Sequence, residues 1–252
     1  MSTIWITRPE PGNATTTAAL QNDGFAVLGL PVLEVRHVIP REGWPSEWPD
    51  WVVFVSANAV RGLEAAGLPA GARPRVRAAA VGARTALEAA GHGWNVELVP
   101  KSENAEGLLE IMGRVDMRGK RVWIPGGNRE GSARHVLPDA LRARGAEVVT
   151  LGVYETLDRV ASVDELAKLN AATPGAVVFH SPSAVDAVFA ENAPEEVRRW
   201  QGADLVAVGP ASASQCRRQR SERVWECTEP SDIALLALLA SIGKRVPQEK
   251  RA

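Results

Sequence analysis

One nine-residue stretch occurs twice in this chain and constrains its fold more than any other feature. Residues 52–60 read Val-Val-Phe-Val-Ser-Ala-Asn-Ala-Val and residues 177–185 read Val-Val-Phe-His-Ser-Pro-Ser-Ala-Val, at an offset of 177 − 52 = 125. Each copy opens with an apolar run rich in β-branched residues, which favours a strand buried on both faces. Ser56 or Ser181 ends the run before a helix-like segment. Each serine either caps a helix or, with unpaired backbone N–H groups, provides a place for an anion.

The duplication extends well beyond this stretch. Its offsets drift by a few residues, as loop insertions would produce, and a solenoid would need more and shorter repeats. Strands alternate with helices throughout, which predicts parallel sheets with helices on both faces. We therefore expect two similar parallel-sheet α/β domains. The other matching segments are 4–6 with 122–124, 30–35 with 151–156, and 81–86 with 208–213.

Composition excludes several classes of protein. The 29 basic and 30 acidic residues give a net charge of −1, which argues against a general nucleic-acid binder. No apolar run is long enough to span a membrane, and no signal peptide is visible, so we expect a cytoplasmic protein. Cys216 and Cys227 have no metal-ligand spacing, and the four histidines lie far apart. The sequence therefore predicts reduced cysteines and no metal site.

Candidate ligand-binding residues follow the predicted strands, where open parallel sheets bind their ligands. They share small hydroxyl groups or a glycine-opened backbone ahead of a helix, a combination that holds anions through N–H groups and the helix dipole. No dinucleotide or phosphate-loop signature is present, and residues 126–131 are interpreted as a plain turn. The candidates are Thr7, Arg8, Ser56, Gly82, Thr85, Ser181, Ser183, Gly209 and Ser212.

Tyr154 is the only tyrosine in the chain and lies in the extended segment 152–156. Its phenol either faces a cleft or belongs to a half-buried packing ring with a solvated hydroxyl. No grouping of serine, histidine and aspartate or nucleophile elbow is visible, so covalent catalysis is not expected.

From residue 4 to residue 242 the chain resembles the uroporphyrinogen-III synthase family. No single motif is specific, but their order and spacing together match the family. The motifs are Thr-Arg-Pro at 7–9, Leu-Pro-Val-Leu-Glu at 30–34, Phe-Val-Ser-Ala-Asn-Ala-Val at 54–60, Val-Gly-Ala-Arg-Thr-Ala at 81–86, Val-Tyr-Glu-Thr at 153–156, Phe-His-Ser-Pro-Ser-Ala-Val at 179–185 and Val-Gly-Pro at 208–210.

The resemblance implies a particular domain organisation. Residues 1–36 and 158–252 would form one domain built from both termini, and residues 37–157 would form an inserted domain. A two-stranded linker, made by the matching segments 31–35 and 152–156, would join them. The active-site cleft would lie between the two domains. The repeat alone would instead place the boundary at the junction of its two halves.

The resemblance also implies an activity in porphyrin and heme biosynthesis. The enzyme would be a lyase that cyclises hydroxymethylbilane, a linear tetrapyrrole, to uroporphyrinogen III, with loss of water and inversion of the last ring. It would need no metal or organic cofactor and would receive its substrate from hydroxymethylbilane synthase. A monomer is expected on separate grounds, because no large apolar patch beyond the core pattern stands out in the sequence. Tyr154 would give a proton to the leaving hydroxyl group or hold the departing water, as a phenol protonated at neutral pH can. The strand-end hydroxyls would hold substrate carboxylates and pyrrole groups.

Two departures from the family pattern and one alternative function stay open. Many members have Arg-Gly where this chain has Pro125-Gly126-Gly127, with Arg129 in reach of the same space, and Thr-Thr-Ala where it has Ala-Ser-Ala at 211–213. The alternative is a non-catalytic two-domain binder of an anionic tetrapyrrole-like ligand. A dehydrogenase is disfavoured because the dinucleotide signature is missing.

Overall fold

The computed structural model describes residues 2–68, 75–128, 133–220 and 222–245, with the side chains of 133–135 and 243–245 excepted. Arg129 and the rest of the expected turn beyond Asn128 therefore lie outside the described residues. The chain divides into two compact units. The terminal unit comprises Met1–Glu34 and Leu157–Ala252, and the inserted unit comprises Val35–Thr156.

Strands and helices alternate along most of the chain. The strands are β1 (Thr3–Ile6), β2 (Val27–Gly29), β3 (Leu33–His37), β4 (Trp51–Phe54), β5 (Arg77–Ala80), β6 (Asn95–Leu98), β7 (Arg121–Gly127), β8 (Glu147–Asp158), β9 (Pro174–Phe179), β10 (Asp204–Ala207) and β11 (Val224–Glu226). The helices are α1 (Gly12–Asn22), α2 (Ala57–Ala65), α3 (Ala83–Gly91), α4 (Ala105–Met112), α5 (Ala133–Ala143), α6 (Val163–Ala171), α7 (Pro182–Val188), α8 (Glu195–Arg198), α9 (Pro210–Gln219) and α10 (Asp232–Arg245). None of the helices in the described ranges is long and apolar enough to cross a membrane.

The strands form two sheets of corresponding topology. The five-stranded sheet has the order β11-β10-β9-β1-β2, and the six-stranded sheet has the order β6-β5-β4-β7-β8-β3. Strands with matching sequences occupy matching positions, since β9 and β4 are both central and β1 and β7 both lie next to them. The pairings from β11 to β2 and from β6 to β8 are all parallel. The predicted parallel α/β fold class is confirmed.

Each sheet buries both of its faces, which explains the continuous apolar runs of the central strands. In the terminal unit, Trp5 and Val177 pack into one hydrophobic cluster with α6 to α9. Their neighbours Ile4 and Val178 pack into a second cluster with α1 and α10. The inserted unit is built in the same way, with α2 and α3 on one face and α4 and α5 on the other. Successive side chains on a strand point to opposite faces, so a strand covered on both sides needs no polar alternation.

The expected strand ends at the β7 and β8 segments were wrong. We expected a strand to end before Pro125, but β7 continues to Gly127, and β8 is one long strand rather than a strand followed by an extension. The two strands stay paired through Gly126 and Gly152, and the register then shifts so that Gly127 lies opposite Tyr154. This shift is a β-bulge, a device that re-aims side chains at the end of a strand.

Helix α8 and the 3₁₀ turn Arg199–Gly202 that follows it were not predicted from the sequence. Both elements have only four residues, too few to show a helical period. The turn matters for packing because Trp200 is fully buried, with its ring 5.6 Å from that of Trp5 in an edge-to-face arrangement.

Helix α2 lies very close to β8, and this contact predicts an unusual response to substitution. A Cβ atom added at Gly62 would lie 2.7 Å from the carbonyl oxygen of Val153, a backbone atom that cannot move aside easily. A Cβ atom added at Gly91, at the end of α3, would meet nothing within 4 Å. We expect Gly62→Ala to lower the free energy of unfolding by about 1–3 kcal/mol through overpacking. Gly91→Ala should leave it unchanged or raise it by up to about 1 kcal/mol. Urea denaturation of both variants measures the difference, and equal midpoints would contradict the close approach.

Candidate active site

The hydroxyl groups of Ser56 and Tyr154 meet at the end of β4, although they are 98 residues apart in sequence. Ser56 is the N-cap of α2, and its Oγ accepts a hydrogen bond of 3.1 Å from the N–H of Ala59. The same Oγ lies 3.3 Å from the phenolic oxygen of Tyr154, and either hydroxyl can donate. Ser56 is therefore the helix cap that the sequence indicated and also a hydrogen-bond partner for the single tyrosine.

Gly127 provides the space that the ring of Tyr154 occupies. A Cβ atom at Gly127 would lie 2.6 Å from Cζ of the ring, so no larger residue fits without moving it. The ring packs into the same hydrophobic cluster as Val153 and Trp123 and is only 6% exposed. Tyr154 thus combines a packed ring with a hydroxyl that reaches a strand end, which is the arrangement expected of a buried tyrosine with a fixed hydrogen-bond partner.

The internal repeat supplies a matched comparison within the same chain. Ser181 caps α7 as Ser56 caps α2, and its Oγ accepts a hydrogen bond of 3.3 Å from the N–H of Ala184. Tyr154 corresponds to Leu33, since 154 − 33 = 121 is the offset of that segment. Leu33 is buried in the apolar core of the terminal unit. The cap is common to both repeats, whereas the phenol is present in one of them.

The two glycine turns predicted to bind anions differ in what lies against them. In the inserted unit, a carboxylate oxygen of Glu103 accepts a hydrogen bond of 2.9 Å from the N–H of Ala83, and the carboxylate covers Gly82. A carboxylate at this position is favourable because unpaired N–H groups and the helix dipole meet there. In the terminal unit, a Cβ atom added at Gly209 would meet nothing within 4 Å. The turn at Gly82 therefore already holds an anion from its own chain.

Three other hydroxyl residues lie within the first turns of helices. Thr85 in α3 and Ser212 in α9 both lie three residues beyond the glycine cap, and both side chains are buried. Ser183 in α7 is half-buried. The equivalent burial of Thr85 and Ser212 follows from the repeat, since 212 − 85 = 127 is the offset of these two turns.

Thr7 and Arg8 follow β1 and are tied into the terminal unit. The hydroxyl of Thr7 is fully buried and donates a 2.6 Å hydrogen bond to the carbonyl of Val178, across the neighbouring strand β9. Arg8 donates a 3.0 Å hydrogen bond to the hydroxyl of Thr16, and its guanidinium lies 4.0 Å from the Asp232 carboxylate. Both side chains therefore have structural partners at the strand end.

Sequence analysis did not identify the structural role of Asn13. Its amide group donates to the carbonyls of Ile6 and Arg8, at 2.8 and 2.9 Å, and so holds the turn after β1 in place. The side chain is almost fully buried in the first turn of α1. The sequence shows only a polar residue close to a helix start, a pattern that also predicts an ordinary N-cap. In the structure the N-cap is Pro11, which makes no side-chain hydrogen bond.

A cavity of about 550 Å³ adjoins Tyr154 in the inserted unit. One wall is formed by the segment that follows β3, and the other by β8 and the end of β7. Tyr154, Gly127 and Asn128 all line it. The cavity therefore provides space for part of a ligand directly beside the ring of the single tyrosine.

The strongly shifted pKa values belong to structural groups. Arg159 and the N–H of Ser162 hold the pKa of the Glu165 carboxyl at about 2, in a capping box at the start of α6. Burial raises the pKa of both thiols, Cys216 and Cys227, to about 11, which leaves them protonated and unreactive at neutral pH. Within the described ranges, no group of three or more histidine, cysteine or acidic side chains could hold a metal ion.

Comparison with known proteins decides the family. A family profile described as uroporphyrinogen-III synthase HemD matches residues 14–237, which is most of the chain. The chain belongs to the uroporphyrinogen-III synthase family. The family predicted from motifs distributed over both repeats is therefore confirmed.

Relatives and solved structures agree with this membership. A protein of Methanothermobacter thermautotrophicus, provisionally assigned as a uroporphyrinogen-III synthase, is 33% identical over 260 aligned positions, with 96% of this chain and 99% of that protein covered. The uroporphyrinogen-III synthase of Chlorobaculum parvum is 27% identical over 168 positions, covering 62% of this chain and 65% of that one. Crystal structures of the synthases from Helicobacter pylori and Thermus thermophilus (a mutant form) match with TM-scores of 0.63 and 0.61, at 17% and 18% identity. They cover 96% and 97% of this chain and all of each matched chain, and at this identity they support the fold.

The position of Tyr154 over Gly127 can be tested in this member of the synthase family without measuring activity. Because the chain has one tyrosine, protein labelled with tyrosine that carries ¹³C at Cζ alone gives a single ring signal. Gly127→Ala should shift this signal clearly and lower the free energy of unfolding by about 1–3 kcal/mol, since the ring must move. Gly152→Ala is the control, because a Cβ atom there meets nothing within 4 Å. Equal shifts in the two variants would contradict the contact between ring and glycine.

Proposed function

We propose that this chain is a uroporphyrinogen-III synthase that converts hydroxymethylbilane into uroporphyrinogen III, a hydro-lyase reaction that releases water and inverts the last pyrrole ring. Membership of the synthase family supports the substrate and the product. The observation that carries the proposal is the hydrogen bond between the hydroxyl groups of Ser56 and Tyr154 at a strand end, together with the cavity that Tyr154 lines. This hydrogen bond supports Tyr154 as a proton donor whose hydroxyl group is held in place.

The first chemical step is the loss of the hydroxyl group from one end of the bilane. The C–O bond breaks, the oxygen keeps the bonding electron pair, and a proton from the Tyr154 hydroxyl completes a water molecule. Ser56 accepts from or donates to the phenol and so limits its rotation. A donor within hydrogen-bond reach accelerates such a step by about 10²–10⁴-fold.

Ring closure then consumes the cation that water loss leaves behind. The substituted carbon of the last ring attacks the methylene carbon and forms a C–C bond. The bond from that ring carbon to its original methylene bridge then breaks and leaves the positive charge on the bridge. The unsubstituted carbon of the same ring attacks the bridge and forms the second C–C bond, so that the ring is inverted. The proton that the last ring releases on regaining aromaticity returns to Tyr154, so the net products are uroporphyrinogen III and water. Holding the two ends of the flexible bilane together is a large part of the catalytic effect. The bound ends react as neighbours, so the entropy loss of bringing them together no longer adds to the barrier.

The eight carboxylates of the substrate need several donors rather than one charged pocket. The remaining predicted contacts are proposed to supply these donors through backbone N–H groups and hydroxyls at strand ends. The open turn at Gly209 is ready to accept a carboxylate, whereas the turn at Gly82 must first release Glu103. The residues proposed for these contacts are Thr7, Arg8, Ser56, Gly82, Thr85, Ser181, Ser183, Gly209 and Ser212. Among them, the buried Thr7 hydroxyl would first have to release the carbonyl of Val178.

The cellular setting is also part of the proposal. Two free, buried cysteines suit a reducing compartment such as the cytoplasm. Because free hydroxymethylbilane closes spontaneously to the symmetric isomer, direct transfer from hydroxymethylbilane synthase to a monomer of this chain would limit that loss. The cleft between two domains, implied by the resemblance, stays a prediction.

The decisive experiment supplies freshly generated hydroxymethylbilane to the purified chain without any added cofactor and separates the oxidised products by isomer. Predominantly isomer III is the expected result. Isomer I alone, formed at the spontaneous rate in the presence of folded protein, would refute the synthase and leave the anionic-ligand binder as the better description.

Replacement of Tyr154 by phenylalanine removes the proposed proton and keeps the ring. We expect Tyr154→Phe to lower kcat for isomer III by about ten-fold or more, the range of a single general-acid contact. The unfolding midpoint of the variant serves as its control, because the ring still fills the space over Gly127. Unchanged turnover would remove Tyr154 from the reaction.

The cysteines should play no part in catalysis. Both thiols are buried and have pKa values raised to about 11, so neither is a nucleophile at neutral pH. The double substitution Cys216→Ser with Cys227→Ser should therefore keep kcat and KM for isomer III within about two-fold of the original, since neither thiolate is formed. A large loss of kcat in a double variant that folds normally would contradict this.

A further inference from the structure

The charged side chains that line the cavity beside Tyr154 sum to a negative charge, although the proposed substrate is an anion. Among the described residues that line it, the charged side chains are those of Arg41, Glu42 and Glu155, a sum of 1 − 2 = −1. A cavity built for carboxylates would be lined by an excess of positive groups. This one instead suits a cation or a ring that presents N–H groups.

Glu155 is the fixed charge of this cavity. Its carboxylate pairs with the Arg41 guanidinium at 3.2 Å, but the side chain of Arg41 is 90% exposed and that of Glu155 only 29%. An ion pair with one partner so exposed contributes little, because water screens it. Arg41 can therefore swing away at little cost, whereas the carboxylate stays in the cavity wall.

The backbone on both sides of Glu155 is held in place. Tyr154 is fixed by its seat over Gly127 and by Ser56. On the other side, the Asn128 side chain accepts a 2.7 Å hydrogen bond from the N–H of Thr156 and donates to its carbonyl at 3.3 Å. The backbone that carries the carboxylate is therefore already in place when an opposite charge develops beside it, which limits the reorganisation that is needed.

Trp44 gives the opposite wall an aromatic surface. Its ring stacks on that of Trp123, with centroids 6.0 Å apart and planes 30° from parallel. The segment that carries it is anchored by the N–H of Val38, which donates to the carbonyl of Val153, and turns at Gly43, whose φ is +74°. Aromatic faces attract cations, so Trp44 is compatible with a positively charged occupant of the cavity.

We propose that this cavity binds the pyrrole ring on which positive charge develops, with Glu155 as its counter-ion. The assignment rests on the proposed synthase function for the identity of that ring. When the C–O bond of the hydroxymethyl group breaks and water leaves with the electron pair, the remaining methylene-pyrrole carries one positive charge. Glu155 stabilises that charge through space and exchanges no proton or bond with it. The first new C–C bond moves this charge off the methylene-pyrrole. The charge leaves the substrate when the old bridge bond has broken, the second C–C bond has formed and the last ring has released its proton.

The alternative occupant is a substrate carboxylate held by Arg41. It would have to displace Glu155 from Arg41 and sit beside two carboxylates that remain in the cavity wall. Carboxylates that share one cavity repel one another, so we assign the carboxylates of the substrate to other parts of the protein.

Three small probes test the charge preference of the cavity directly. They are 2-(aminomethyl)pyrrole, which is a cation at pH 7, neutral 2-methylpyrrole, and the anion pyrrole-2-carboxylate. The single ¹³C-tyrosine signal reports binding to the full chain, because Tyr154 lines the cavity. We expect the cation to bind about ten-fold more tightly than the neutral probe, and Glu155→Gln to abolish that preference. Glu110→Gln, on the exposed face of α4, is the matched control and should retain it.

Any other order of affinity overturns the proposal. Tightest binding of the anion, lost in Arg41→Gln, would make the cavity a carboxylate site. Equal binding of the three probes, or no binding of the cation, would mean that Glu155 does not act as a counter-ion.

Turnover provides a second, independent test. Glu155→Gln should lower kcat for isomer III by about ten-fold or more with little change in KM, because the charge appears after binding. Glu110→Gln should leave both unchanged. If the unmodified chain forms isomer III and Glu155→Gln turns over equally fast, only the counter-ion is refuted. If the unmodified chain forms no isomer III, the synthase function is refuted, while the probe affinities still decide the preference of the cavity.

Discussion

The parallel pairing of β1 with β9, and of β7 with β4, is the constraint on which the rest of the structure depends. Each of these pairings joins a strand from one sequence repeat to a strand from the other. Neither repeat therefore forms a complete sheet by itself, although each supplies most of the strands of one sheet. The junction of the repeats near Gly119 consequently falls inside the inserted unit, and the compact units divide at 34/35 and 156/157 instead.

Two otherwise similar strand ends differ in the residue on which the proposed mechanism depends. Ser56 and Ser181 cap their helices in the same way. In the terminal unit, the position that corresponds to Tyr154 holds Leu33, which lies in the apolar core. In the inserted unit, the ring of Tyr154 lies against a glycine, at a shift in the register of the strand pairing. Since these features bring no evident gain in packing over a leucine, they favour a role for the hydroxyl.

The parts of the structure that follow from local sequence were predictable, and the parts set by register were not. The repeat, the buried strands and the serine caps could be inferred because each depends on a few consecutive residues. The contact of Tyr154 with Ser56 could not, since it needs the register of β7 against β8 and a shift at Gly127. The Glu103 carboxylate on the turn at Gly82 depends on a loop conformation that no sequence period indicates.

A duplicated fold with a single phenol also suits a substrate whose two ends differ. The strand ends of both units offer N–H groups and hydroxyls, which suit carboxylates distributed along a linear tetrapyrrole. Tyr154, the proposed proton donor, lines one cavity together with the carboxylate of Glu155 and the ring of Trp44. On the proposed mechanism, the end of the bilane that loses its hydroxyl group would be favoured there, since it becomes positively charged in that step. The asymmetry between the repeats would thus orient the substrate, whereas the symmetry would hold the rest of it.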